Sequence, residues 1–353
     1  MYKVKFYDLS YIDAFKSAWE ELCVGVDMTY FQSFNWYKML TMLNSNIKDK
    51  HFKIRLGIVY DDNEEVVLIA PLWIVTKTFK KYNKKGAYLF GRKQWSDYLN
   101  FIYKDINEEI IKAIFCSLKD KYGIDKIYLE EIPTESQFFK MVTTNYPYVE
   151  HKLTTCVHLD LPSSIEEYNK ILSKSFRQNI RTAINRTKKD GIKFLFNYDD
   201  KNVNIETFLN NRIDRLQEKK TKWTPSKYLR FKWFIKSLLT GDYWGEEYCF
   251  PEYIPITHDK NSKTMTCCTS DGELCAAFNY GFDVNKKRIV LMAVCTNFKY
   301  YRYSPGIQLI YNYILEQMEK KEVVCIDFTR GTERYKYDFG GQEHYNKYIT
   351  ITI

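Results

Sequence analysis

The side chains best suited to chemistry gather where apolar strand patterns stop. Val323-Val324-Cys325-Ile326 runs into Asp327-Phe328-Thr329-Arg330-Gly331, and Glu333-Arg334-Tyr335-Lys336 follows at once. Carboxylates, a phenol and cations at a strand's end can accept a proton, donate one and hold an anion. Asp327, Glu333 and, in the first half, Asp97 are the candidate general bases. Tyr303 and Tyr335 are the candidate acids, and Lys336 and Arg330 bring positive charge to the same run. Upstream, Tyr303-Ser304-Pro305-Gly306 opens an apolar-striped helix. Proline suits a first helical position because its missing N–H is an orphan there anyway, and glycine lets a ligand approach the backbone. The free N–H groups of such a first turn suit an anion such as a pyrophosphate. A third feature is the acid-free stretch Ser173 to Lys189. Lys174, Arg177, Arg181 and Lys188 fall near one helical face, opposite Phe176, Ile180 and Ile184.

Each feature has a plainer reading, and the residues alone leave both open. Asp327 fits a turn cap as well as a base. Arg330 and Lys336 fit a structural ion network with Asp327 or Glu333. Ser304 fits a helix cap better than a nucleophile, Tyr303 fits core packing, and the basic helix fits a solvated face. Cys267, Cys268 and Cys295 lie in β-patterned apolar contexts, where thiols are usually inert.

Regular elements must position these groups. Val4 to Tyr7 alternates as a strand, Ile12 to Val24 has helical spacing, and Ser33 precedes a second helix as a plausible N-cap. Phe52 to Tyr60 and Glu65 to Val75 form a hairpin signal across an acidic turn. Trp95 to Phe101 reads as a strand entry, Glu108 to Tyr122 as a helix, and Lys126 to Glu130 as a strand ending in an elbow at Glu131. In the second half, Ile192 to Phe196 is strand-like, and Val203 to Lys219 and Lys227 to Leu239 are helical. Thr264 to Ser270 and Glu273 to Gly281 pair across Asp271-Gly272, a strong turn dipeptide. Arg288 to Cys295 is a buried strand. Ile307 to Glu319 is a helix burying Ile307, Ile310, Tyr311, Ile314 and Met318. Val323 to Phe328 and Tyr345 to Ile351 are the last strands, and Asp242 to Lys263 reads as a long loop or insertion. The order helix, basic turn, strand, acid, elbow occurs twice, around Ile111 to Ser136 and Leu309 to Glu333, as two copies of one α/β unit would give.

Bulk properties agree with a two-domain chain of mixed α/β class. At 353 residues it exceeds one ordinary core. The 30 tyrosines suit wet clefts and saccharide faces as well as plain packing. A formal charge of +9 could attract nucleic acid, anionic lipid or a phosphorylated cofactor. No zinc-finger spacing, RNP-like motif or basic low-complexity tail accompanies it, so DNA is not an expected partner. The nine cysteines are odd in number, scattered and without a C-x-x-C pair, which argues for reduced thiols in the cytoplasm. The five histidines lack metal-ligand spacing, so no metal is expected. No apolar run reaches membrane-spanning length, and the N-terminus has no signal-peptide pattern. The expected location is the cytoplasm, with peripheral attachment to the inner membrane face left open.

Several segments together resemble a known family. Lys174-Ser175-Phe176-Arg177 through Arg186, Tyr303-Ser304-Pro305-Gly306-Ile307-Gln308-Leu309 and Asp327 through Lys336 are similar to segments of cellulose-biosynthesis acetyltransferases of the CelD/BcsL type. Phe31 through Trp36, Ala70-Pro71-Leu72 and Ser96-Asp97-Tyr98 resemble that family's opening domain. The family belongs to the GNAT superfamily of acyl-CoA-dependent N-acyltransferases, in the tandem arrangement shared with FemAB-like enzymes. The resemblance implies two GNAT-like domains, residues 1–155 and 156–353, each a mixed, mostly antiparallel sheet flanked by helices, with the donor site in the second. It implies attack of a primary amine on a thioester, with acetyl-CoA the expected donor and an amino sugar of an envelope polysaccharide, or its nucleotide- or lipid-linked precursor, the expected acceptor. Asp327, Tyr335, Lys336 and Tyr303 are then the expected catalytic residues. Leu291, Met292, Ala293 and Val294 would hold the donor by the backbone, bordered by Cys295 and Thr296, with Ser304, Pro305, Gly306 and Arg330. Arg177, Arg181 and Asp97 would meet the acceptor. The donor turn departs from the R/Q-x-x-G-x-G/A form of ordinary GNAT domains. Two alternatives therefore stand: a FemAB-like transferase using aminoacyl-tRNA, disfavoured because no long heptad pair is evident, and an inactive GNAT-fold binding protein.

Overall fold

The computed structural model describes residues 2–44, 52–78, 84–91, 96–218 and 261–353. In chain order its elements begin with β1 (Lys3–Asp8), α1 (Lys16–Leu22), α2 (Phe34–Asn44), β2 (Phe52–Tyr60), β3 (Val66–Val75), β4 (Gly86–Leu89), α3 (Glu108–Tyr122), β5 (Lys126–Pro133), α4 (Gln137–Asn145) and β6 (Tyr148–Asp160). They continue with α5 (Ile165–Ile171), α6 (Lys174–Lys189), β7 (Phe194–Asn197), α7 (Ile205–Glu218), β8 (Ser262–Thr269), β9 (Leu274–Asp283), β10 (Arg288–Thr296), α8 (Pro305–Lys320), β11 (Cys325–Arg330), α9 (Arg334–Asp338) and β12 (Gln342–Thr352). The expected helix at Lys227 to Leu239, most of the Asp242 to Lys263 segment, Trp95, His51, His258 and Cys249 lie outside the described residues.

Among the described residues, two compact units form: residues 2–154 with 345–353, and residues 155–218 with 261–344. In the first, the strand order is β1-β2-β3-β4-β5-β12. The β2–β3 hairpin turns at Asp61, whose carboxylate accepts the N–H groups of Asn63 and Glu65. β4 and β5 are parallel neighbours, and α3 makes the crossover between them. Asn107 caps α3, and Gly123, left-handed at φ 60°, ends it. In the second unit the order is β6-β11-β10-β9-β8-β7, with β10 and β11 the parallel pair and α8 their crossover. Its core gathers Phe278, Tyr280, Leu291, Leu309, Ile314 and Phe328, among others, between sheet and helices.

Three expectations change. Residues 96–101 form no strand; only Ile102 bridges to Ile69, and the preceding loop is held by side chains. Leu9–Phe15 is a 3-10 turn leading into α1, so the helical spacing from Ile12 to Val24 is split between two geometries. α8 buries Leu309, Ile310, Tyr313, Ile314, Gln317 and Met318, whereas Ile307 and Tyr311 are half-buried. The apolar count placed that stripe one position off, because Gln308 and Gln317 are buried polar residues.

Candidate active site

β10 and β11 run side by side for only three register pairs, Arg288↔Cys325, Ile289↔Ile326 and Val290↔Asp327. Beyond Val290 they part, while β10 stays paired with β9 as far as Thr296↔Ala276. A bulge between Leu291 and Ala293 leaves Met292 without a partner on β9, and bulges bend a strand locally. The β11-facing edge of β10 therefore carries backbone groups that no strand among the described residues pairs. Side chains reach them instead. Thr329 Oγ1 donates to the Leu291 carbonyl at 3.1 Å, and Arg212 Nη1 donates to the Val294 carbonyl at 3.0 Å. Leu291, Met292, Ala293 and Val294, the expected donor-holding stretch, are the residues at this parting.

An elbow shapes the other arm. Thr329 sits at φ 59°, a left-handed conformation that strains a β-branched residue by about 1–3 kcal/mol. Asp327, fully buried, holds that strain in place: its Oδ1 accepts the Thr329 N–H at 2.8 Å, as a turn-capping aspartate does. Its Oδ2 lies 3.6 Å from Arg288 Nη1, and Arg288 Nη2 is 3.0 Å from Asp283 Oδ2. Burial raises the Asp283 carboxyl above its ordinary value, and Arg288 only partly offsets this.

Lys336 is buried to 2% exposure, which a lone ammonium would not tolerate. Its Nζ donates to the carbonyls of Thr329 (3.2 Å), Arg330 (2.6 Å) and Gly331 (3.1 Å) and lies 3.0 Å from Glu333 Oε2. The ammonium stitches the elbow closed. Gly331 sits at φ 105°, a backbone conformation that would strain any residue with a Cβ. Arg330 is half-buried beside it. Tyr335 meets Phe328 edge-on at 6.1 Å. Burial first, then the Glu333 charge, push its phenol well above the ordinary tyrosine range, with Arg215 opposing.

Tyr303 goes elsewhere. Its hydroxyl donates to Asp190 Oδ2 at 2.8 Å at the end of α6, where Arg302 pairs with the same carboxylate at 3.0 Å. Ser304 occupies the N-cap position of α8 but makes no capping hydrogen bond. The reason is its left-handed backbone (φ 50°, ψ 52°), whereas a capping serine is extended. Pro305 takes the first helical position as expected. A Cβ at Gly306 would meet Phe278 only at 3.7 Å, an ordinary contact, so packing alone does not require glycine there.

On α6, Ser173 caps the helix, and Phe176, Ile180, Ala183 and Thr187 are buried. Arg177 donates to the Asn169 carbonyl, whereas Lys174, Arg181 and Lys188 are exposed. Asp97 belongs to the first unit, and its carbonyl accepts from Asn346 Nδ2. There two of the three opening-domain motifs meet: Trp36 Nε1 donates to Ser96 Oγ at 2.8 Å and Gln32 Nε2 to the Tyr98 carbonyl at 2.8 Å.

Two groups escaped the sequence reading. Arg212 and Arg215 sit one turn apart on α7, which packs on β10. Desolvation, with the neighbouring Arg215 charge, lowers the Arg212 guanidinium to about 10, so it stays charged at neutral pH. Its Nε is buried without a hydrogen-bond partner among the described residues. The i, i+3 arginine spacing was visible; the docking of α7 on β10 was not. The second group is His158 and His344, whose Nδ1 atoms are 3.1 Å apart. His158 is also the register partner of Asp327. Burial raises the Cys295 thiol to about 12, and Cys267 and Cys325 also rise by burial, consistent with inert thiols. Among the described residues, no group of three or more His, Cys, Asp or Glu could hold a metal ion, and no helix is long and apolar enough to cross a membrane.

Residues 174–337 match the family model described as acetyltransferase (GNAT) domain. No curated protein matches the sequence. The crystal structure of FemX is similar at a TM-score of 0.62 and 10% identity, covering 99% of this chain and 97% of that one. A conserved protein of unknown function from Bacteroides thetaiotaomicron VPI-5482 is similar at a TM-score of 0.54 and 10% identity, covering 100% of both chains. At such identities these two structures establish the fold. Residues 174–337, a little under half of the chain, are thus similar to a GNAT acetyltransferase domain.

Proposed function

We propose that this chain is an acyl-CoA-dependent N-acyltransferase that holds its donor thioester along the parted edge of β10 and passes the acyl group to the primary amine of an amino sugar carried on a phosphorylated precursor of an envelope polysaccharide. The observation that carries the reading is the end of β10–β11 pairing at Val290, followed at once by the Met292 bulge. Extended amide-bearing donors such as acetyl-CoA can pair with such an edge as a strand would. The first-turn N–H groups of α8 after Ser304, Pro305 at its N1 position and the small Gly306 suit the donor's phosphates.

Each residue then has a task. A β10 backbone N–H stabilises the carbonyl oxygen as it becomes an oxyanion, a contribution of about 3 kcal/mol for one well-placed donor. The amine nitrogen bonds to the acyl carbon, its proton passes to a carboxylate, and the carbon–sulfur bond breaks. Tyr335, kept protonated by its surroundings, gives its proton to the departing thiolate. Glu333, exposed beside it, takes the amine proton. Asp327 and Lys336 are positioning residues that hold the elbow. Arg212 and Arg181 supply charge for the acceptor's phosphates.

Thermal shift and turnover with an acyl-CoA panel test this reading. Acetyl-CoA at a hundred times its Kd should stabilise the protein by about 2.7 kcal/mol, and free thiol should appear when an amino-sugar nucleotide is added. Salt-sensitive stabilisation by aminoacyl-tRNA, with none by any acyl-CoA, would move the donor to the tRNA class. No response to either would leave a binding protein.

A further inference from the structure

A cavity of about 550 Å³ lies in the second unit at the end of α8 remote from Ser304-Pro305-Gly306. It is lined by Ile289 at the start of β10, before the parting, and by Gln317 and Lys321 at the end of α8. α8 has 16 residues, so at 1.5 Å per residue its two ends are roughly 24 Å apart. The cavity thus shares elements with the candidate active site without being part of it.

Its chemistry is specific. Tyr198, Tyr280 and Tyr313 form an aromatic wall with Phe282. The Tyr198 and Tyr313 rings are 5.1 Å apart, those of Tyr280 and Tyr313 6.2 Å, and Tyr280 is anchored through its hydroxyl to the Tyr198 carbonyl at 2.8 Å. Such faces accept a planar ring by edge-on or offset contact. Within the wall lies Gln317, only 5% exposed. Its Oε1 has no hydrogen-bond partner among the described residues, a state that costs about 1–3 kcal/mol for a buried polar group. Rotation of the carboxamide about its last, broad torsion turns either end toward the cavity.

The rim is cationic after pairing. Lys263 is matched by Asp199 at 3.0 Å and Lys320 by Glu316 at 2.5 Å. Among the described residues Lys287 and Lys321 are exposed and unpaired, with the exposed Glu322 the one unmatched acid lining the cavity. Both lysines are left-handed, at φ 46° and 58°, where a glycine would be relaxed.

We propose that this cavity is a second small-molecule site, for a planar aromatic ligand that carries a hydrogen-bonding N–H and one negative charge. The ring stacks in the tyrosine wall, the N–H meets Gln317, and the anion sits between Lys287 and Lys321. The site stands independently of the donor and acceptor assignments.

Indole-3-acetate is a probe with all three features, and calorimetric titration of the full chain reads its binding. Saturable binding at one site is expected. 1-Methylindole-3-acetate, lacking the N–H, should bind at least five-fold more weakly, and tryptamine, with the charge reversed, at least ten-fold more weakly. Gln317→Leu should remove the preference for the N–H form while raising Tm. The surface double variant Lys287→Glu/Lys321→Glu should remove the preference for the anion with Tm unchanged. Absence of saturable binding, equal affinity for the three probes, or binding indifferent to these variants would each overturn the proposal.

Discussion

The two units use one backbone device and finish it differently. In the first, parallel β4 and β5 pair only at Ala87↔Ile127 and Tyr88↔Tyr128. In the second, β10 and β11 pair at three positions. Each pair is joined by a helix, and each second strand carries a left-handed residue that is not glycine, Glu131 at φ 52° and Thr329 at φ 59°. Beyond the pairing the units diverge. In the first, the Leu99 N–H closes on the Glu131 carbonyl at 3.0 Å, and the Tyr88 and Tyr128 rings stack at 4.4 Å. Phe90 and Leu99 are fully buried there. In the second, the Leu291 and Val294 carbonyls of the parted edge accept from side chains among the described residues, Thr329 and Arg212. A parting sealed by backbone and aromatic packing is core. One bridged by side-chain donors, each worth about 1 kcal/mol net, can exchange them for a ligand.

That contrast can be broken at its elbow. Lys336→Ala would leave three carbonyls without this donor, and denaturant titration should show a loss of about 3 kcal/mol, with activity collapsing alongside. If stability holds, the stitched elbow is not a structural requirement. Next in size is Tyr335→Phe, which should lower kcat by about 100-fold at nearly unchanged Tm. Tyr303→Phe should instead lower stability by about 1 kcal/mol through its lost Asp190 bond and spare kcat. Equal kcat losses in both would erase the distinction between the two tyrosines. The sign of the Tyr335 shift adds a pH test: the protonated phenol is the working form and its pKa is raised, so kcat should show no alkaline fall through the ordinary tyrosine range near pH 10. A fall there that Tyr335→Phe abolishes would contradict the role. The smallest effect sharpens the comparison. Glu131→Gly should relieve left-handed strain, largely offset by the lost 3.3 Å bond from Thr154 Oγ1, and leave stability within about 1 kcal/mol with turnover unchanged. Thr329→Gly should gain the same relief but lose its bond to Leu291, leaving stability level and shifting the donor KM a few-fold.

Much of this framework could be read from residue order. α3, the β2–β3 hairpin and the β8–β9 hairpin follow from period, caps and turn dipeptides, which act locally. β6 and α5 were passed over: β6 alternates weakly and is mostly exposed over its first six residues, so burial leaves little pattern there. The apparent strand at residues 96–101 is apolar because its loop packs inward, not because it pairs. Within the site, the Asp327 to Lys336 run was legible as chemistry, but its division of labour was not. Whether an ammonium catalyses or stitches depends on which carbonyls the chain folds over it. Arg212 shows the same limit, since its partner is the Val294 carbonyl 82 residues away.

The most direct measurement is amide hydrogen exchange with and without acetyl-CoA. The account predicts new protection at Leu291 to Val294 and at the first turn of α8, with residues 86–91 and 127–131 unchanged. Protection confined to the β4–β5 region, or none in either unit under saturating donor, would contradict the claim that the parted edge of β10 holds the thioester.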